Sequence, residues 1–220
     1  MNKKGFTLIE LLAVIVILTM LIYLAAQWIS NNFIRPYVFG KFLDLHPLII
    51  IFAFLIVEGY FHTKNLKKYM LRLFVFALLS EIPFNLAMGS RMIYPIHQNV
   101  LWSFCISLGL IHWNETVKSK NKPWMRILVG ILSVLIGYLL GLITFVDFYH
   151  AGVLTVLVFY FFRKRTWWCF LGQLICMWVI NFEMLGGFGY EIQLGGKTLF
   201  FTRQGFALLA LIPIWLYRGK

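Results

Sequence analysis

Charge is what this sequence has least of. Asp, Glu, Lys and Arg make up 13% of the chain, and only 8 residues are acidic. A soluble domain carries about twice that share of charge, and no polar stretch here is long enough to form one. Cysteine is scarce too. Cys105, Cys169 and Cys176 are odd in number, sit inside apolar runs and lack metal-ligand spacing. That speaks against a disulfide framework or a metal centre, and for small buried hydrophobes. A Ser-His-Asp order, a phosphate-binding glycine loop and a zinc spacing are all missing, which leaves hydrolase, kinase and metalloenzyme readings unsupported. No internal repeat of the kind common in transporters is visible.

What remains is apolar. Of the 220 residues 61% are hydrophobic and 18% aromatic, with a mean hydropathy of +0.82. This composition predicts an all-α, polytopic integral membrane bundle, with Trp and Tyr at the interfaces. The expected spans are 6–29, 47–61, 69–88, 98–113, 127–145, a short one ending at Phe162, 166–182 and 199–217, about eight in all. Residues 114–126 read as a solvated connection. The glycine-rich stretch 183–198 suggests turns or a small hairpin.

A net charge of +12 would point to nucleic acid in a soluble protein. In a membrane protein, cations in alternate connections set orientation instead. With the amino terminus inside, the cytoplasmic side receives both tails, the Lys64–Arg72 turn, the 118–126 connection and Arg163-Lys164-Arg165. Arg35, Lys41, Arg91, Lys197 and Arg203 fall on the other side. Both termini are therefore expected in the cytoplasm, the bilayer is the expected partner, and no nucleic acid is needed.

Polar residues concentrate between Phe52 and Asn85. Glu58 and His62 are four apart and share a helix face, and Glu81 and Asn85 repeat the spacing further on. A carboxylate at helix centre costs about 2.5–3.5 kcal/mol on insertion scales, which makes each acid a functional candidate. The plainer alternative is interhelical glue. Glu58, His62 and Arg72 fall towards the cytoplasmic face. Glu81, Asn85, His97, Gln98, Asn99, Asp147 and His150 fall towards the other. His62 reads as the sole histidine near the inner face.

Two resemblances follow from these residues. At MNKKGFTLIELLAVIVIL, Gly5, Phe6 and Glu10 resemble the leader of type IV prepilins. The resemblance implies a prepilin peptidase that cuts after Gly5 and methylates Phe6, with Glu10 as the fifth residue of the processed chain. The plainer alternative is that Lys3 and Lys4 are simple anchors. At IIIFAFLIVEGYFHTKNLKKYMLRLFVFALLSEIPFN, HQNVLWSFCISLGL, more weakly VDFYHAGVLTVLVFY, and QGFALLALIPIWLYRGK, residues 48–220 of the chain resemble the TraX family of bacterial cell-membrane proteins. The division expected is residues 1–29 as leader and first span, and 47–220 as a TraX-like transmembrane domain.

The TraX resemblance implies a membrane acyltransferase. It would move acetyl from cytoplasmic acetyl-CoA, a co-substrate, to a pilin amino terminus or another membrane-associated acceptor. Such chemistry needs a base, an oxyanion donor and cations for the CoA phosphates. His62 and Glu58 are the expected catalytic pair. Arg72, Lys64, Lys67 and Lys68 are expected to hold CoA, Glu81, Asn85, Asn99 and Asp147 to face the acceptor, and no metal is expected. The family pattern places an Asp-His pair in the first helix, where this chain has Ile22-Tyr23. The alternatives are an inactive member, a non-enzymatic pilus or conjugation assembly factor, or a proton-coupled transporter using Glu58, Glu81 and Asp147.

Overall fold

The computed structural model of the protein describes residues 46–89, 91–118, 122–186, 189–194 and 197–217. The prepilin-like leader with Gly5, Phe6 and Glu10, the span expected at 6–29, and Ile22-Tyr23 lie outside these residues.

Among the described residues six helices follow one another: α1 (His46–His62), α2 (Leu66–Gly89), α3 (Val100–Lys118), α4 (Pro123–Ile143), α5 (Tyr149–Phe161) and α6 (Trp167–Trp178). Their starts have local causes. Asn65 Oδ1 accepts from the Lys68 amide at 3.0 Å and opens α2, and Asn99 Oδ1 does the same for the Leu101 amide at 3.0 Å before α3. Pro123 occupies the first turn of α4, where its missing N–H costs nothing. Thr166 caps α6 through Oγ1. A π-helical turn, Val179–Met184, extends α6.

The chain then makes an antiparallel hairpin, β1 (Gly189–Leu194) with β2 (Lys197–Thr202), in the register Gly189↔Thr202 to Leu194↔Lys197. A 3-10 segment (Arg203–Ala210) and α7 (Leu211–Leu216) complete it. The single helix expected over 199–217 is therefore corrected. Residues 199–202 are strand, because Thr198, Phe200, Phe201 and Thr202 favour a pleated conformation and find a partner across a Gly-Gly connection. The hairpin expected in 183–198 is present but reaches further along the chain.

Successive helices reverse direction, and α3 lies in the middle, packed on α1, α2, α4 and α5. Its Phe104, Leu108 and Ile111 are fully buried and meet Ile56, Val153 and Val156 in the core. The 114–126 reading is corrected as well. The last turn of α3 runs to Lys118, and Asn114 is buried, donating to Leu110 O at 2.8 Å and to Ser133 Oγ on α4 at 2.6 Å.

Helix α4 is built inside out. Val129, Ser133, Gly137 and Gly141 are buried at four-residue spacing, while Ile127, Ile131, Leu135 and Leu139 face outwards. Small residues inward and large apolar residues outward suit a helix whose outer solvent is lipid. Among the described residues, three helical segments are long and apolar enough to cross a membrane: Leu66–Leu86, Pro123–Ile143 and Trp167–Met184. The apolar helices at 48–62, 149–161 and 207–216 are shorter.

The described cations separate by end. The turns α1–α2, α3–α4 and α5–α6 hold Lys64, Lys67, Lys68, Lys118, Lys122, Arg126 and Arg163 to Arg165. This basic end carries the candidate site.

Candidate functional site

Glu58 and His62 close the last turn of α1. The His62 Nδ1 lies 2.8 Å from the Glu58 carbonyl oxygen, which can only accept, so Nδ1 donates. In the neutral ring that leaves Nε2 with its lone pair. The Glu58 carboxylate stands 3.6 Å from Nδ1 through Oε2, and Oε1 accepts from Arg163 Nε at 2.9 Å.

Arg163 is held from two sides. Its guanidinium also lies 4.0 Å above the Phe61 ring centroid. With the Arg side chain 37% exposed, such a bridge contributes little to stability, of order 0–1 kcal/mol. Its consequence is geometric: the guanidinium is fixed with Nε engaged and its two-nitrogen edge turned elsewhere.

Two cavities meet at this pair. One, of about 440 Å³, is bounded by the α1–α2 turn and holds Lys64, Lys68, Arg72 and Tyr69. The other, of about 730 Å³, is bounded by the α5–α6 turn and α7, and holds Arg163, Lys164, Arg165, Trp167, Phe170 and Trp215. Glu58, His62 and Tyr217 line both. The Tyr69 side chain, reaching from α2 to α1, sets the smaller cavity's wall. Tyr69 donates to Ile56 O at 3.0 Å, and a Cβ at Gly59 would stand 2.5 Å from the Tyr69 hydroxyl. Only glycine permits that approach.

The structure thus brings together His62, Glu58, Lys64, Lys68 and Arg72. Lys67 is exposed and lines neither cavity. The reading of His62 as the sole histidine near this end is corrected: His112 on α3 has Nδ1 3.3 Å from the Tyr60 hydroxyl. Sequence reasoning counted Arg163 only as a topology signal. It is 105 residues from Glu58 in sequence, and no periodicity links the two. Gln173 and Trp215 were missed for the same reason; Gln173 Oε1 accepts from Trp215 Nε1 at 2.9 Å and fixes α7 against α6.

Glu81, Asn85, Asn99 and Asp147 gather at the opposite end and line neither cavity. Three N–H groups converge on Glu81 Oε2: the Asn99 amide, Asn99 Nδ2 and Trp102 Nε1. Among the described residues Glu81 Oε1 is buried without a partner, as is Asn85 Oδ1, while Asn85 Nδ2 reaches Met92 O at 3.3 Å. Asp147 Oδ1 accepts from His97 Nε2 at 3.2 Å and from the Phe148 amide at 3.1 Å. The His97 ring stacks on Phe84. The hydrogen bond it donates to Asp147 holds the pKa of the His97 imidazole above its ordinary value; burial works the other way, and the charges of Asp147 and Glu81 add to the rise. Among the described residues no group of three His, Cys, Asp or Glu is placed to hold a metal ion.

Apolar helices, outward-facing leucines and isoleucines, and a histidine-carboxylate pair between two cation-lined cavities define the class: a helical membrane protein with both cavities at its basic end. The family model described as TraX protein matches residues 9–210, and the chain belongs to the TraX family. That match begins well before residue 48, where the resemblance quoted above starts. Comparison with curated proteins and with solved structures gives no match.

Proposed function

We propose that this protein is a multi-pass acyltransferase of the bacterial cytoplasmic membrane. It transfers acetyl from acetyl-CoA to a pilin amino terminus or another membrane-associated acceptor. The observation that carries the reading is the shared wall. A group transfer needs donor and acceptor on either side of one base, and Glu58 and His62 stand between two cavities. The basic end faces the cytoplasm, where acetyl-CoA is made available.

In this reading Lys64, Lys68 and Arg72 hold the CoA phosphates, with Lys67 adding field at the rim. His62 Nε2 takes the proton of the acceptor N–H or O–H as that atom attacks the thioester carbonyl. The tetrahedral oxyanion collapses, the C–S bond breaks, and the CoA thiolate leaves with the proton from His62. Glu58 positions the ring and holds Arg163. Glu81, Asn85, Asn99 and Asp147 line neither cavity, so in this reading they order the far end of the bundle and the acceptor meets His62 from the larger cavity.

The assay is label transfer from acetyl-CoA to protein or membrane extracts. His62→Ala should abolish transfer and leave thermal stability almost unchanged, because this side chain is 60% exposed and packs little. Glu58→Gln should reduce transfer less, because the amide keeps the shape and loses the charge. Arg72→Ala should raise the KM for acetyl-CoA in a salt-dependent way. Glu81→Gln, at the far end, should leave that KM unmoved. A wild-type protein that labels no extract makes this a TraX scaffold without the chemistry, consistent with Ile22-Tyr23 in place of the family's Asp-His pair.

The leader belongs to the same proposal and has its own test. Co-expression with a prepilin peptidase should yield a chain that begins at a methylated Phe6, and Gly5→Ala should stay full length by mass spectrometry. An intact Met1 terminus reduces the leader to an anchor.

A further inference from the structure

The smaller cavity accounts for the donor phosphates, which leaves the larger one without an occupant. Its composition is specific. Arg163, Lys164 and Arg165 line its cationic side, and Phe54, Phe170 and Ile214 give it an apolar lining. The cationic side sits where α6 begins, and Trp167–Met184 is, among the described residues, one of three segments able to cross a membrane. Trp167 and Trp168 flank that start and are 67% and 75% exposed. Exposed Trp beside a basic triplet at the start of an apolar helix marks the depth of lipid headgroups.

A ligand for this cavity must therefore present an anion at headgroup depth and an apolar body just below it. A free nucleotide supplies the anion but has no use for an apolar lining beside a membrane span. We infer that the larger cavity binds the phosphate headgroup of an anionic membrane lipid and presents it to His62, which makes that lipid the acceptor class. The inference rests on the acyl-transfer reading only for the word acceptor; the binding site stands by itself.

Arg163 is the seat's fixed point. Glu58 engages its Nε and Phe61 supports its face, so the remaining edge can meet a phosphate without first being ordered. Lys164 and Arg165 extend the positive side. A hydroxyl or amine on the headgroup would then lie near the wall shared with the donor cavity. Transfer to it balances simply: the headgroup O–H or N–H proton passes to His62 Nε2, the acyl carbon bonds to oxygen or nitrogen, and the CoA sulfur leaves and takes the proton.

The test uses the full chain in phosphatidylcholine nanodiscs and needs no acetyl-CoA. Brominated phosphatidylglycerol and brominated phosphatidylcholine are added at equal mole fraction, and Trp fluorescence quenching is compared. The glycerol lipid should quench at least twofold more, and Trp167→Phe should lose most of that excess. Lys164→Ala/Arg165→Ala should bring the two lipids level, while Lys67→Ala/Lys122→Ala removes as much charge from the same end and should leave the preference standing. Arg165→Gln with a small-scale thermal profile serves if the double variant fails to fold. Equal quenching by the two lipids in the wild type overturns the site, as does a preference that the Lys67/Lys122 pair erases equally. Displacement of the lipid by soluble glycerol phosphate shows a site for free phosphates, and displacement by CoA shows the donor's seat; either result also overturns it. Lipid preference without label transfer sinks only the enzyme reading, and label transfer without lipid preference sinks only this inference.

Discussion

His97 and Asp147 face each other across the end opposite the cavities, and their pairing has a sign that can be checked. A histidine held above its ordinary value binds its proton more tightly in the folded chain than in the unfolded one. The stability this contributes is complete below about pH 6.5 and is lost as pH rises through the raised folded-state value. In detergent, the Tm of the wild type relative to His97→Gln should therefore be highest on the acid side and converge with the variant as pH rises. A difference that grows with pH would remove the pair from the account. Glu81 and Tyr149 face the same ring and stay in both proteins, so the comparison isolates His97. At this scale the sequence was readable where a residue's chemistry was unusual for its surroundings. Glu58, His62 and Glu81 stood out because charge in an apolar run needs a reason. Arg163 did not, because a basic triplet after a membrane helix already has one.

Elements were legible wherever apolar length and local signals agreed. Asn65, Asn99, Pro123 and Thr166 start helices for reasons visible in the sequence. The end of the chain is not legible as a strand because Leu199–Tyr217 is apolar on both sides of a short Thr202–Gly205 break, and apolarity alone does not separate a buried helix from a strand followed by a 3-10 segment. The stripe on α4 was present in the sequence as Ser133, Gly137 and Gly141 and makes a sharp prediction. A Cβ on Gly141 would lie 2.5 Å from His150 Cα and 2.7 Å from its amide nitrogen, and backbone cannot turn aside as a side chain can. Gly141→Ala should destabilise by about 2 kcal/mol or more, read as a lowered Tm, by forcing α4 off α5. Gly109→Ala is the control, since a Cβ there meets nothing within 4 Å. Equal losses from the two would mean that helix packing is not what Gly141 serves.

Across the whole molecule, the placement of charge and the placement of chemistry coincide. The turns that carry Lys64, Lys68 and Arg163 to Arg165 are those from which the positive-inside rule predicts orientation, and the same residues line the two cavities. Topology is thus a condition of the proposed function, because acetyl-CoA reaches only a cytoplasmic site. A reporter fused after Lys220 should be cytoplasmic, since Tyr217 lines both cavities of the basic end. One inserted at Gly187, after the α6 segment has run away from that end, should be outside. A third, placed after Lys120 in the α3–α4 connection, should match the first. If Gly187 reports cytoplasmic while Lys120 does not, the molecule is inverted, the cavities open away from acetyl-CoA, and the acyl-transfer reading fails however well the site binds anions.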